Sequence, residues 1–237
     1  MIANNRPDPR LLVDPSVLGL AEAPRAFYRG STVRIARSLI GAWLVRRYRG
    51  RWFGGRIVET EAYLGAADRA AHSWGGRRTR RVEPMYADGG HLYVFLVYGM
   101  HCCANVVTRR EGIAEAVLLR AAEGPASAPP RLMAGPGKLC SALGITTGRT
   151  GADLLGGGDI RILLRGARRP AIGVSPRVGV DYAGEATAWP LRFYDRDSPA
   201  ISVRPRGART QCGRSGSWPG PGSATVTTAF FPPRLAR

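Results

Sequence analysis

The chain has 237 residues, 44% of them hydrophobic, which is enough to bury one sizeable core and excludes global disorder. It carries 35 Lys and Arg against 17 Asp and Glu, a formal net charge of +18. That balance points to a polyanionic partner and ranks nucleic acid ahead of a membrane surface. Lys138 is the only lysine, so compositional bias accounts for Arg over Lys but not for the scarcity of acids.

In chain order, residues 1–24 are Pro-rich and predict an irregular arm. Their apolar stretch, 11–20, is broken by Asp14 and Pro15 and makes no targeting signal. Ser31 is placed to cap a helix carrying Val33, Ile35, Ala36, Leu39 and Ile40 at a 3.6-residue period. Two extended runs, 42–48 and 55–63, with turn signals at Gly50 and at Gly54-Gly55, predict a hairpin. Residues 64–90 are polar and Gly-rich, with Arg77, Arg78, Arg80 and Arg81.

The apolar, aromatic run 91–107 is interrupted by Tyr98-Gly99-Met100 and predicts two strands about a turn or bulge. A further buried strand follows at 114–121, then a Pro/Gly-rich stretch at 124–137 and a short helix around 139–143. Strands are expected again at 160–164, 171–174 and 191–194. From Arg204 the last stretch holds six Arg and no acid, and predicts a disordered basic tail. The plan is an arm (1–24), one α+β domain (25–203) and a tail (204–237).

Cys102, Cys103, Cys140 and Cys212 show no C-x-x-C spacing, and the neighbours Cys102 and Cys103 would point to opposite faces of a strand. Reduced thiols and no zinc site are expected. No apolar run approaches the length needed to cross a bilayer.

The segment from Arg56 to Tyr63 is the richest in chemistry. Strand alternation would project Ile57, Glu59, Glu61 and Tyr63 from one face. Two carboxylates about 7 Å apart raise each other's pKa. They either pair with neighbouring Arg or supply a general base for hydrolysis of a glycosidic bond. His72 alone says little. Tyr93, Phe95 and Tyr98 are core residues by default, yet a base-extracting enzyme needs aromatic walls and a wedge. Asn105, at the end of an apolar strand, must find backbone or base-edge partners. Arg120 closes an apolar run and needs a carboxylate or phosphate.

Several blocks together resemble the alkyladenine (3-methyladenine) DNA glycosylases. They are Arg56-Ile-Val-Glu-Thr-Glu-Ala-Tyr-Leu-Gly65, Ala70-Ala-His72-Ser, Leu92-Tyr-Val94, Tyr98-Gly-Met100 and Val117-Leu-Leu-Arg120-Ala. Further on come Gly135-Pro-Gly-Lys-Leu-Cys140, Arg177-Val-Gly-Val180 and Pro190-Leu-Arg-Phe-Tyr194, so the resemblance runs in order from about 27 to 203. It implies a single mixed α+β domain around a curved antiparallel sheet with flanking helices, with no metal and no cofactor. It also implies a monomer acting on double-stranded DNA that contains damaged purines, in the cytoplasm or bacterial nucleoid, neither secreted nor at a membrane.

The resemblance assigns Glu61 as the base that activates water, with Glu59 in the same motif but not catalytic. Arg120 would place the water and contact a phosphate, and a backbone carbonyl in 177–180 would complete the water site. Tyr63 and His72 would line the base pocket. Tyr98 would be the wedge, and Asn105 would crowd the exocyclic amine of guanine. Two departures stand out. Phe95 stands where some relatives of that family carry a pocket tyrosine, and the connection at 124–132 is shorter than the helix-containing stretch the family generally has. Three readings follow: a hydrolytic DNA glycosylase, a DNA-binding relative with impaired catalysis, or a hydrolase of small glycosides or nucleosides using Glu61 with Glu59.

Overall fold

One thirteen-residue strand, Arg51–Tyr63, organises the rest of the fold. The computed structural model describes residues 5–164 and 170–204, and the expected basic tail lies outside them from residue 205 onward. In chain order the strands are β1 (Leu12–Val13), β2 (Trp43–Tyr48), β3 (Arg51–Tyr63), β4 (Leu92–Val97) and β5 (His101–Thr108). They continue with β6 (Glu115–Glu123), β7 (Met133–Ala134), β8 (Ile160–Leu163), β9 (Ile172–Ser175) and β10 (Arg192–Asp195). The α-helices are α1 (Pro15–Leu18), α2 (Arg25–Tyr28), α3 (Thr32–Ser38) and α4 (Pro136–Leu143).

Among the described residues these strands form one ten-stranded sheet with the path β4-β5-β6-β3-β10-β9. Its pairings are antiparallel throughout, so the class is the α+β fold expected: a large open sheet with a few helices. The first half of β3 pairs with β1 and β2, the second half with β6 and β10. One face packs on the helices in a core that includes Leu39, Leu44, Leu119, Leu139 and Phe193. Each such side chain contributes roughly 1.5–3 kcal/mol through burial. Ser31 does take the N-cap position of α3, but its side chain makes no capping bond. Within 5–24, Leu11 is fully buried and β1 is bonded to β3, which ties this stretch to the sheet.

Two expectations fail in β3. Gly54-Gly55 is not a turn; the strand runs straight through it, and only Arg49-Gly50 turns. A Cβ at Gly54 would meet the Leu44 carbonyl oxygen at 2.7 Å, and one at Gly55 the Glu123 oxygen at 2.6 Å. Neighbouring backbones approach too closely for any side chain there.

Nor does Ile57 share a face with Glu59, Glu61 and Tyr63. Ile57 joins the main core, whereas Val58 packs with Ala121 and Ala200. The register explains it: Ile57 opposes Ala122, Glu59 opposes Ala121 and Thr60 opposes Leu119, leaving Val58 and Arg120 without partners. This irregularity resets the alternation and re-aims side chains, as bulges do. Residues 124–132 form turns closed by Ala128 N–H to the Pro125 carbonyl and Leu132 N–H to that of Pro129.

Candidate active site

The irregularity between β3 and β6 sets Arg120 beside both glutamates. Its Nε donates to Glu59 Oε1 at 3.1 Å and its Nη1 to Glu61 Oε2 at 3.3 Å. A charge in an apolar strand has thus found the carboxylate partners it required. All three residues are buried.

The two glutamates differ in what surrounds them. Glu59 also accepts from Arg192 Nε at 2.7 Å, Ser202 Oγ at 2.8 Å and the Ser202 amide at 2.5 Å, so protein groups occupy both its oxygens. Glu61 accepts from the Val178 amide at 2.8 Å and the Tyr63 hydroxyl at 2.9 Å. Burial pushes the Glu61 carboxyl above the ordinary Glu range, and Arg120, the Val178 amide and Tyr63 offset this only in part. Tyr63 is shifted the same way: burial and the Glu61 charge raise its pKa and hold its hydroxyl protonated, as a donor.

Above this cluster opens a cavity of about 680 Å³, lined by Tyr63, His72, Phe95, Asn105 and Arg120 among others. Glu61 is fully buried and does not itself line the cavity; Tyr63, Arg120 and Val178, its hydrogen-bond partners, do. The carboxylate therefore lies one layer beneath the wall. Tyr63 is braced from behind. The Arg177 guanidinium lies 4.7 Å from its ring centre and is itself held by both oxygens of buried Asp68.

A second wall is aromatic. His72 Nδ1 is 3.0 Å from the Tyr93 hydroxyl, and its ring meets Phe95 edge-on at 4.4 Å. Burial, then the charges of Arg81 and Arg77, lower the His72 pKa, so the imidazole is neutral at pH 7. Asn105 donates from Nδ2 to the carbonyls of Tyr93 and Cys103, which satisfies its amide through backbone. Cys103 faces the cavity while Cys102 joins the core, as strand alternation requires.

The aromatics of β4 and its turn take three fates: Tyr93 is buried, Phe95 half-buried, and Tyr98 is 89% exposed at the cavity rim. Tyr98 and Gly99 both have positive φ, 51° and 68°, in the turn between β4 and β5. A left-handed tyrosine is uncommon and costs roughly 1 kcal/mol, so the turn presents this ring to solvent against local preference.

The structure thus brings Arg120, Tyr63, His72, Phe95, Asn105 and Tyr98 to one cavity, with Glu61 directly beneath its wall. Sequence reasoning did not find Asp68 and Arg177 as the brace behind Tyr63, nor Arg192 and Ser202 as the holders of Glu59. It singled out Arg81 and Lys138 but not as cavity-lining residues, which they are. Among the described residues no His, Cys, Asp and Glu group could hold a metal ion, and no helix is long and apolar enough to cross a membrane.

Residues 26–199 match the family model described as methylpurine-DNA glycosylase. A relative from Desulfitobacterium hafniense named "Putative 3-methyladenine DNA glycosylase" is 45% identical, covering 76% of this chain and 98% of its own. Relatives of the same name from Methanocella arvoryzae and Bdellovibrio bacteriovorus are 42% and 45% identical, covering 97% and 98% of their own lengths. The match spans the whole cavity, from Tyr63 to Tyr182. This chain belongs to the methylpurine-DNA glycosylase family of DNA-repair hydrolases.

Proposed function

We propose that this chain is a monofunctional glycosylase that takes a damaged purine out of duplex DNA into the cavity and hydrolyses its N-glycosidic bond. The observation that carries this is Glu61: a buried carboxylate of raised pKa under the cavity, held by Arg120, the Val178 amide and Tyr63. A water lodged against these groups would give its proton to Glu61 and attack the sugar's anomeric carbon. The purine leaves with the bonding electrons, and an abasic site remains. Arg120 orients the carboxylate, and a carbonyl of 177–180 completes the water's contacts.

Tyr63, neutral His72 and Phe95 supply stacking and hydrogen bonding for the extruded base, and Tyr98 fills the gap it leaves. Asn105 has spent its amide hydrogens on backbone, so it would reject guanine's exocyclic amine by crowding rather than by repelling a donor. The substrates we propose are 3-methyladenine, 7-methylguanine, hypoxanthine and ethenoadenine. Glu59 is held by Arg192 and Ser202, neither of which lines the cavity, whereas all three partners of Glu61 do; this counts against a two-carboxylate glycosidase acting on small sugars.

The test is excision from a labelled duplex carrying one such lesion. The expected product is an intact abasic strand, cut only by alkali, formed equally in EDTA. Glu61→Gln should lower the rate by roughly 10²–10⁴-fold while sparing lesion binding. Full activity in that variant would remove Glu61 from the mechanism. A borohydride-trapped adduct that disappears in Lys138→Gln would replace water with an amine nucleophile.

A further inference from the structure

The arginines of the β2–β3 hairpin have no part in the cavity. At its end the sequence Arg46-Arg-Tyr-Arg-Gly-Arg-Trp52 interleaves cations with aromatics. Arg46 is buried and bonded to the Leu143 carbonyl and to Asn5, so it belongs to the core. Arg47, Arg49 and Arg51 are exposed. The acids that neighbouring elements bring to this end are already taken: Asp159 pairs with Arg149 at 2.6 Å and Glu22 with Arg161 at 3.5 Å. Among the described residues, these three guanidinium groups have no carboxylate partner.

Two of them, Arg47 and Arg49, are also held in order. Arg47 and Arg161 lie 5.7 and 5.0 Å from the Trp52 ring centre, and Arg49 lies 5.5 Å from that of Tyr48. Such stacking fixes a guanidinium on a plane while its N–H edge stays free for phosphate. The turn itself is costly. Arg49 has φ 49° beside Gly50 at 76°, a pair of left-handed positions that Asn-Gly or Gly-Gly would fill more cheaply. An arginine held there is strain that its contact with the Tyr48 ring does not require, a feature that recurs at functional positions.

Position excludes the cavity as the reason. Trp52 and Glu61 stand nine residues apart on one strand, a separation of about 30 Å at 3.3 Å per residue. None of Arg47, Arg49 and Arg51 lines the cavity, so the hairpin end lies well away from it.

We infer that the end of the β2–β3 hairpin is a second docking surface for duplex DNA, gripping phosphates through Arg47, Arg49 and Arg51. It rests on the reading that the cavity works on duplex DNA. The consequence is a chain that holds two duplex segments at once and passes from one to the other without release.

The test uses the full chain and undamaged DNA. Protein bound to a bead-tethered duplex is asked to capture a second, labelled duplex. Wild type should capture it, and Arg49→Gly/Arg51→Ser should lose at least tenfold of that capture. The salt slope of capture should flatten by about two, at 0.9 per lost phosphate contact. The thermal midpoint should hold or rise, because glycine suits the left-handed turn position. Single-turnover excision from a short lesion duplex should be unchanged. No capture by wild type, or equal capture by the variant, overturns the inference. So does a parallel loss of excision, which would make the patch part of the cavity's own grip. A wild type that captures but never excises would instead sink the catalytic reading.

Discussion

Glu59 and Glu61 sit two residues apart on one strand face and are put to opposite uses by their neighbours. Replacing Glu59 leaves Arg192 buried without its carboxylate and Arg120 with Glu61 alone, so Glu59→Gln should cost about 3–5 kcal/mol in a denaturant titration. Glu61 has a raised pKa, so its contribution to stability is complete below the ordinary Glu value and is lost as pH rises through the folded value. At neutral pH its ionised form is therefore a burden. Glu61→Gln should melt higher than wild type at pH 7, by a margin that narrows on acidification. The same shift sets the catalytic profile: the acid limb of the excision rate should lie above the ordinary Glu range. A limb at or below pH 4.5, or an unchanged limb in Glu61→Gln, would contradict the assignment.

At the scale of elements, the β4–β5 hairpin offers a clean separation of role from stability. Tyr98 is 89% exposed, so Tyr98→Ser should change stability by less than about 0.5 kcal/mol. Tyr98→Gly should stabilise by about 1 kcal/mol, since glycine accepts positive φ. Both should slow excision of a well-paired lesion more than a mispaired one. Equal slowing on both would deny Tyr98 the wedge role. In β3, Gly55→Ala drives a methyl into the Glu123 backbone and should cost 2 kcal/mol or more, on the order of other overpacked sites. A tolerated alanine would mean β6 can give way.

These same elements show what the sequence made legible. The runs at 42–48 and 91–107 declare their strands because β-branched and aromatic residues sit between turn residues, and 114–121 does so as a short apolar run. Gly54-Gly55 misleads because glycine marks a close approach as readily as a turn, and only the third dimension says which. The need of Arg120 for a carboxylate was readable from its apolar surroundings. The identity of its partners was not, since it depends on an irregular register that strict alternation excludes. The family's motif blocks supplied the cavity residues, whereas Asp68 and Ser202 act from behind and lie in no quoted block, and Arg192, although inside one, carried no assigned role.

For the whole molecule, the excess of 35 basic over 17 acidic residues predicts affinity for any duplex, falling steeply with salt. Removing residues 204–237, with their six Arg, should flatten the log–log slope by as much as roughly 5 if each meets a phosphate. An unchanged slope would make that segment a bystander.

A chain with a single lysine has a single side-chain amine, and here that amine stands on the cavity wall. Reagents that seek amines, whether fluorophores, cross-linkers or activated surfaces, would find one exposed side-chain address, Lys138. A label there would report directly on occupancy of the cavity. A support coupled there would hold the protein face down, with its binding site against the matrix. Attachment for any binding measurement should therefore be directed elsewhere in the chain.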